Sequence, residues 1–103
     1  MPILWYNLGR KLITFRGKHM ETRAAVIAII VENDDSANEI NSLLHEYRGS
    51  IIGRMGIPYR EKGICIISVA IDAPQDTISS LAGKIGRING VTAKTVYSPV
   101  EQK

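Results

Sequence analysis

The residues best suited to chemistry lie in one run, Gly53-Arg54-Met55-Gly56-Ile57-Pro58-Tyr59. Two glycines in a strand-like segment permit a bulge or the close approach of another backbone. An arginine between them can present a planar fork of N–H donors to a carboxylate or a phosphate. The same run also reads as an edge strand in which Gly, Arg and Pro discourage pairing with a stray chain. Both readings hold together if that edge borders a ligand groove at a subunit boundary. His19, His45 and Cys65 are the candidate metal ligands, but no pair has a spacing such as Cys-x-x-Cys or His-x-x-x-His. Cys65 sits between Ile64 and Ile66-Ile67 and reads as a small buried hydrophobe. A metal shared between subunits through His45 or Cys65 is the alternative. Asp34-Asp35 and the Asp72/Asp76 pair read as charges at helix starts, where the macrodipole favours them. There is no Ser/His/Asp set and no phosphate-binding glycine loop. The reading is therefore non-enzymatic, with no cofactor and no metal.

Those side chains must be positioned by the elements around them. After Met20 the apolar segments run strand, helix, strand, strand, helix, strand. Arg23 to Glu32 is rich in Val and Ile, which favours a buried strand over a helix. Asn33-Asp34-Asp35-Ser36 reads as a loop ending in a capping box, with Ser36 and Glu39 satisfying each other's end of the helix. Ala37, Ile40, Leu43, Leu44 and Tyr47 then share one helical face, and Gly49 ends it. Ile51 to Tyr59 is a strand placed at an edge by Pro58. Glu61-Lys62-Gly63 turns the chain into Ile64–Asp72, with Cys65, Ile67, Val69 and Ile71 on one face and Ile64, Ile66, Ser68 and Ala70 on the other. Pro74 suits the first turn of a helix carrying Ile78, Leu81, Ile85 and Ile88. Asn89-Gly90 stops that helix, and Val91 to Tyr97 is the last strand. Two βαβ crossovers joined by a hairpin make an α+β, ferredoxin-like βαββαβ sandwich: a four-stranded antiparallel sheet with two helices on one face. Right-handed crossovers put the first and third of these strands in the centre.

The chain has 103 residues, one cysteine, 45% hydrophobic residues and a net charge of +3. That length supports one domain and the composition supports a core. A single cysteine excludes an internal disulfide. No apolar stretch approaches the length of a membrane span, and the first residues lack the charge-then-apolar order of a secretory signal, so the cytoplasm is expected. The basicity is local: Arg10, Lys11, Arg16 and Lys18 precede Met20 without a single acid. The rest is close to neutral, which is a poor footprint for nucleic acid. Residues 1–19 are expected to be a flexible basic extension upstream of a functional start at Met20; the alternative is a basic tail that touches DNA or lipid. Residues 20–98 form the domain and 99–103 a polar tail.

With both helices on one face, the other face of the sheet should alternate polar if it meets water. It does not: Val26, Ala28 and Ile30 are as apolar as Ala25, Ile27, Ile29 and Val31. A second copy is expected to cover that face or extend the edge, giving a homodimer or homotetramer. Other families with this topology lack support. The first and third strands carry no aromatics to stack RNA bases, no Cys-x-x-Cys loop exists for a heavy metal, and the loop after the first strand is acidic where an acylphosphatase needs arginine.

Met20-Glu21-Thr22-Arg23, Leu44-His45-Glu46-Tyr47, Gly53 through Arg60, Ile66-Ile67-Ser68-Val69 and Asp72-Ala73-Pro74 together resemble a family of small ACT-like proteins assigned as regulators of the iron-only hydrogenase system. The resemblance covers about residues 20–98, and its specific part is Gly53–Tyr59. It implies a regulatory role, assigned mainly by association with hydrogenase maturation, and no defined reaction. The fold is similar to the ligand-binding domain of the nickel-responsive repressor, but the arm here is too short for that repressor's ribbon-helix-helix module, and its metal-ligand histidines are missing. ACT domains bind small effectors, often amino acids, between the loop after the first strand and a neighbouring subunit. The resemblance thus implies a ligand site joining Asn33, Asp34, Asp35 and Ser36 to Gly53, Arg54, Met55 and Gly56. The expected function is a small-molecule-sensing regulatory module. The alternatives are a ligand-free interaction module for hydrogenase maturation proteins and a DNA-binding regulator using the basic arm. Nucleic acid is disfavoured as a partner and a membrane is not expected.

Overall fold

Nine consecutive residues drawn only from Arg, Ala, Val and Ile leave the backbone little alternative to an extended strand, and Arg23–Val31 forms one. In the computed structural model of the chain, residues 21–99 are described in full, preceded by the backbone of Ile13–Phe15 and Lys18–Met20. These two short segments, β1 (Ile13–Phe15) and β2 (Lys18–Met20), pair antiparallel with Ile13 opposite Met20. Lys18 and His19, placed by the sequence in the basic extension, belong to the second of these strands. The remainder of the expected flexible arm, 1–12 and 16–17, lies outside the described residues, as do 100–103 of the tail.

The domain proper runs β3 (Arg23–Val31), α1 (Ala37–Glu46), β4 (Ile51–Tyr59), β5 (Ile64–Ala73), α2 (Gln75–Gly86) and β6 (Val91–Tyr97). The strand order is β4-β5-β3-β6, all antiparallel, so β3 and β5 are central as expected. Ile27 sits opposite Val69 on one side and Thr95 on the other, which sets the register of the centre. Ala25, Ile27, Ile29 and Val31 point to the helices and are buried, as are Ile67, Val69, Ile71 and Ala73 of β5. α1 inserts Ile40 and Leu44 into this layer, and α2 inserts Ile78, Leu81 and Ile85. Both helical stripes repeat at three and four residues, the spacing that keeps one face inward. Ala37, expected on that face, is exposed.

The capping box does not form. A short 3-10 turn, Asp34–Ser36, precedes α1, and its cap is Asn33, whose Oδ1 accepts from the Asp35 N–H at 2.9 Å. Ser36 is already helical in backbone and is 5% exposed, and its Oγ donates to the Asn89 carbonyl at 2.7 Å. Tertiary contact outcompetes the local cap because the α2–β6 turn lies directly against this loop: Glu32 N–H also donates to the Gly90 carbonyl at 2.7 Å. Ser36→Ala removes one largely buried hydrogen bond, and urea unfolding is expected to show a loss of about 1 kcal/mol with an unchanged slope. Pro74 stands one position before α2, as its cap residue. Gly63, at φ 66°, takes the left-handed position that closes the β4–β5 turn.

Candidate functional site

β4 is an edge strand whose successive side chains alternate between two faces. Arg54 lies opposite Val69, Gly56 opposite Ile67 and Pro58 opposite Cys65, so these three face the helix layer. Met55, Ile57 and Tyr59 pair with Ser68, Ile66 and Ile64 and face the open side. A bulge between Ile51 and Gly53 sets this phase. α1 covers the central strands and leaves β4 exposed along nearly its whole length.

The step between α1 and β4 is a cleft of about 220 Å³. Val31, Cys65 and Ile67 supply its apolar floor, Asp34, Ala37 and Asn41 line the α1 side, and Arg54, Gly56 and Pro58 line the β4 side. Arg54 Nη2 donates to Asn41 Oδ1 at 2.9 Å, tying strand to helix. That partner is a neutral amide, so the contact aims the guanidinium without cancelling its charge. A Cβ on Gly56 would stand 4.0 Å from Ile67 Cγ1, an ordinary contact, so glycine there keeps the floor open rather than relieving a clash. Cys65, expected to be buried, is half-buried in this floor, because α1 does not reach over β4 to cover it.

The cleft gathers part of the residue set implied by the family resemblance. Asp34, Arg54 and Gly56 line it. Asn33 is engaged as a cap, Asp35 is exposed on the turn, and Ser36 is tied to Asn89. Gly53 and Met55 lie on the opposite face of the sheet. Asn41, Pro58 and Cys65 join the cleft unanticipated. Strict alternation along Gly53–Tyr59 was the signal available for separating Arg54 from Met55.

A second groove, of about 370 Å³, runs between the helices, but its walls carry Glu39 and Glu46 against Lys84 and Arg87, which offset one another. At its end Lys84 Nζ donates to Tyr47 OH at 2.9 Å, with Ser80 Oγ at 3.4 Å. The hydrogen bond from Lys84, then that from Ser80, holds the Tyr47 phenol below its ordinary pKa, and the same contact raises Lys84. The tyrosinate form of Tyr47 is therefore favoured by folding, an effect present above the unfolded phenol's pKa and lost as pH falls through the folded one. In an alkaline titration followed by phenolate absorbance, Tyr47 should ionise before an ordinary tyrosine, and Lys84→Met should move it back. Among the described residues no three His, Cys, Asp or Glu side chains come together. His45 is exposed on α1, and the His19 side chain lies outside the described residues. No helix among the described residues is long and apolar enough to cross a membrane.

Residues 23–95 match the TM1266-like family, described as "Iron-only hydrogenase system regulator, putative". The solved structure of the uncharacterized protein TM1266 from Thermotoga maritima is similar at 37% identity with a TM-score of 0.72, over 75% of this chain and 98% of that one. No curated protein matches the chain. The match runs from the first residue of β3 into β6 and includes every element that builds the cleft, so the chain belongs to the TM1266-like family.

Proposed function

We propose that this protein is a non-enzymatic, ACT-like regulatory module of the iron-only hydrogenase system that senses a small molecule, an α-amino acid, in the α1–β4 cleft and changes its affinity for a protein partner in response. The observation that carries this reading is the presence of Arg54 and Asp34 on facing sides of one cleft over an apolar floor. A zwitterion suits that arrangement: its carboxylate meets the guanidinium fork, its ammonium meets the carboxylate, and its side chain rests on Val31 and Ile67. β4 supplies the route outward. Arg54 and Gly56 face the ligand while Met55 and Ile57, one residue on, face the open side of the sheet, so a ligand that steadies the strand also sets the shape of that surface. The test is a thermal-shift screen over amino acids, nucleotides and divalent metals. A rise in Tm with one amino acid and its close relatives is expected, and a flat response to all of them removes the sensing function.

The breadth of the open face favours a second reading, a ligand-free interaction module for hydrogenase maturation proteins. Val26, Ile52, Met55, Ile57, Tyr59, Ile66 and Val96 are all exposed on the described domain. The two readings part on the same screen, because an interaction module gains stability from its partner and from no small molecule.

A further inference from the structure

The open face of the sheet holds an arrangement that specifies its own cover. Its centre is apolar: Val26 on β3 is 42% exposed and Val96 beside it on β6 is 68% exposed. Ala24 and Ala70 are small, and between them the surface dips into a depression of about 310 Å³ lined also by Val26, Ile52 and Val96. Two charged residues on this face lie on opposite sides of that centre. Lys94 on β6 is level with Ala28, and Asp72 on β5 is level with Ala24, so the point midway between them is Val26. We infer that a second copy of this chain packs on the open face about a two-fold axis passing over Val26, with Lys94 of each copy meeting Asp72 of the other.

The geometry follows from symmetry. When two copies of a sheet stack face to face, the two-fold axis lies between them and parallel to both, and each residue meets its own mirror position across that axis. An axis through Val26 and perpendicular to the Lys94–Asp72 line makes the charge pair twice. With a rise of about 3.3 Å per residue and strands about 4.8 Å apart, the same axis runs over Met55, so Met55 meets itself. Ile52 then falls between Ala28 and Ile30 of the partner copy, and Val96 falls into the depression over Ala24. The strands of the two sheets cross at roughly 70°, within the orthogonal class of sheet packing. The face measures roughly 20 Å by 25 Å from the same spacings. Burying it twice covers about 1,000 Å², the lower bound for a specific interface. Lys94 also explains how one orientation is chosen, since an apolar face alone fixes no angle.

This inference stands apart from the ligand reading, because its readout is mass in the absence of any small molecule. Light scattering on the full chain at micromolar concentration should give a dimer, or a tetramer of which this is one interface. Val26→Glu places a carboxylate on its own copy at the axis and should leave this interface unformed at every concentration tested. Lys94→Glu sets acid against acid twice and should raise the dissociation constant at least about tenfold. Combining Lys94→Glu with Asp72→Lys restores opposite charges and should return the constant to within about threefold of the starting protein. Val26 and Lys94 are exposed in the protomer, so a cooperative unfolding transition in each variant distinguishes dissociation from misfolding. A monodisperse monomer overturns the inference. So does an oligomer indifferent to Val26→Glu and Lys94→Glu, or a double variant no better than Lys94→Glu alone. A different protein co-purifying at fixed ratio, whose removal leaves a stable monomer, overturns it as well.

Discussion

Gly90→Val should cost this protein about 3–5 kcal/mol, a large share of the stability of a domain this small. The backbone of Gly90 is at φ 77°, a region that β-branched residues enter only with strain of about 1–3 kcal/mol. A Cβ there would also stand 2.7 Å from the Cβ of Asn33 and 3.4 Å from its backbone nitrogen. Neither atom is the free end of a flexible side chain, so the two turns must separate. Separation weakens the Glu32–Gly90 and Ser36–Asn89 hydrogen bonds, each worth about 1 kcal/mol. Melting followed by circular dichroism should show a fall in Tm of about 15 °C or more. Gly49→Ala is the matched control: nothing lies within 4 Å of the added Cβ and its φ is not positive, so its Tm should hold or rise slightly. Gly90 also bears on function, because Asn33 caps the turn that places Asp34 in the cleft.

Arg54→Ala should leave the fold intact and abolish the thermal shift produced by an amino acid. Saturation at a hundred times the dissociation constant adds about 2.7 kcal/mol to the folded state, a shift readily seen in a chain of this length. The variant loses that increment because the guanidinium is the cleft's cation. It loses little else: Arg54 is exposed and its bond to Asn41 is between solvent-facing groups, worth at most about 1 kcal/mol. Asn41→Asp gives an independent check. A carboxylate at that position pairs with the guanidinium and competes with the ligand's own, so the apparent affinity should fall about tenfold while the melting point without ligand holds or rises. An unchanged shift in Arg54→Ala would remove that residue from the account and with it the proposed binding mode.

The elements of this fold are legible in the chain because their causes are local. A run of Val and Ile has nowhere to go but a strand, and Ile78, Leu81 and Ile85 recur at a spacing that only a helix turns to one side. The order of those elements, with Pro58 confined to an edge, places β3 and β5 in the centre. The apolar open face was legible for the same reason, since both alternating sets in β3 are greasy. What could not be read was set by partners distant along the chain. Ser36 had a complete local cap available with Glu39, yet its hydroxyl turns to Asn89, 53 positions away, because the α2–β6 turn arrives within reach. Asn41 and Cys65 enter the cleft because α1 stops short of the edge strand, a matter of where a helix rests rather than of its own pattern. The Gly53–Met55 segment reads as one site, but pairing with β5 through a bulge sends Arg54 toward the helices and Gly53 and Met55 the other way. Periodicity alone determined which residues a strand or helix holds. Only the register between elements decided which of their two sides lines the cleft and which forms the open apolar face, because register depends on the summed packing of the whole sheet.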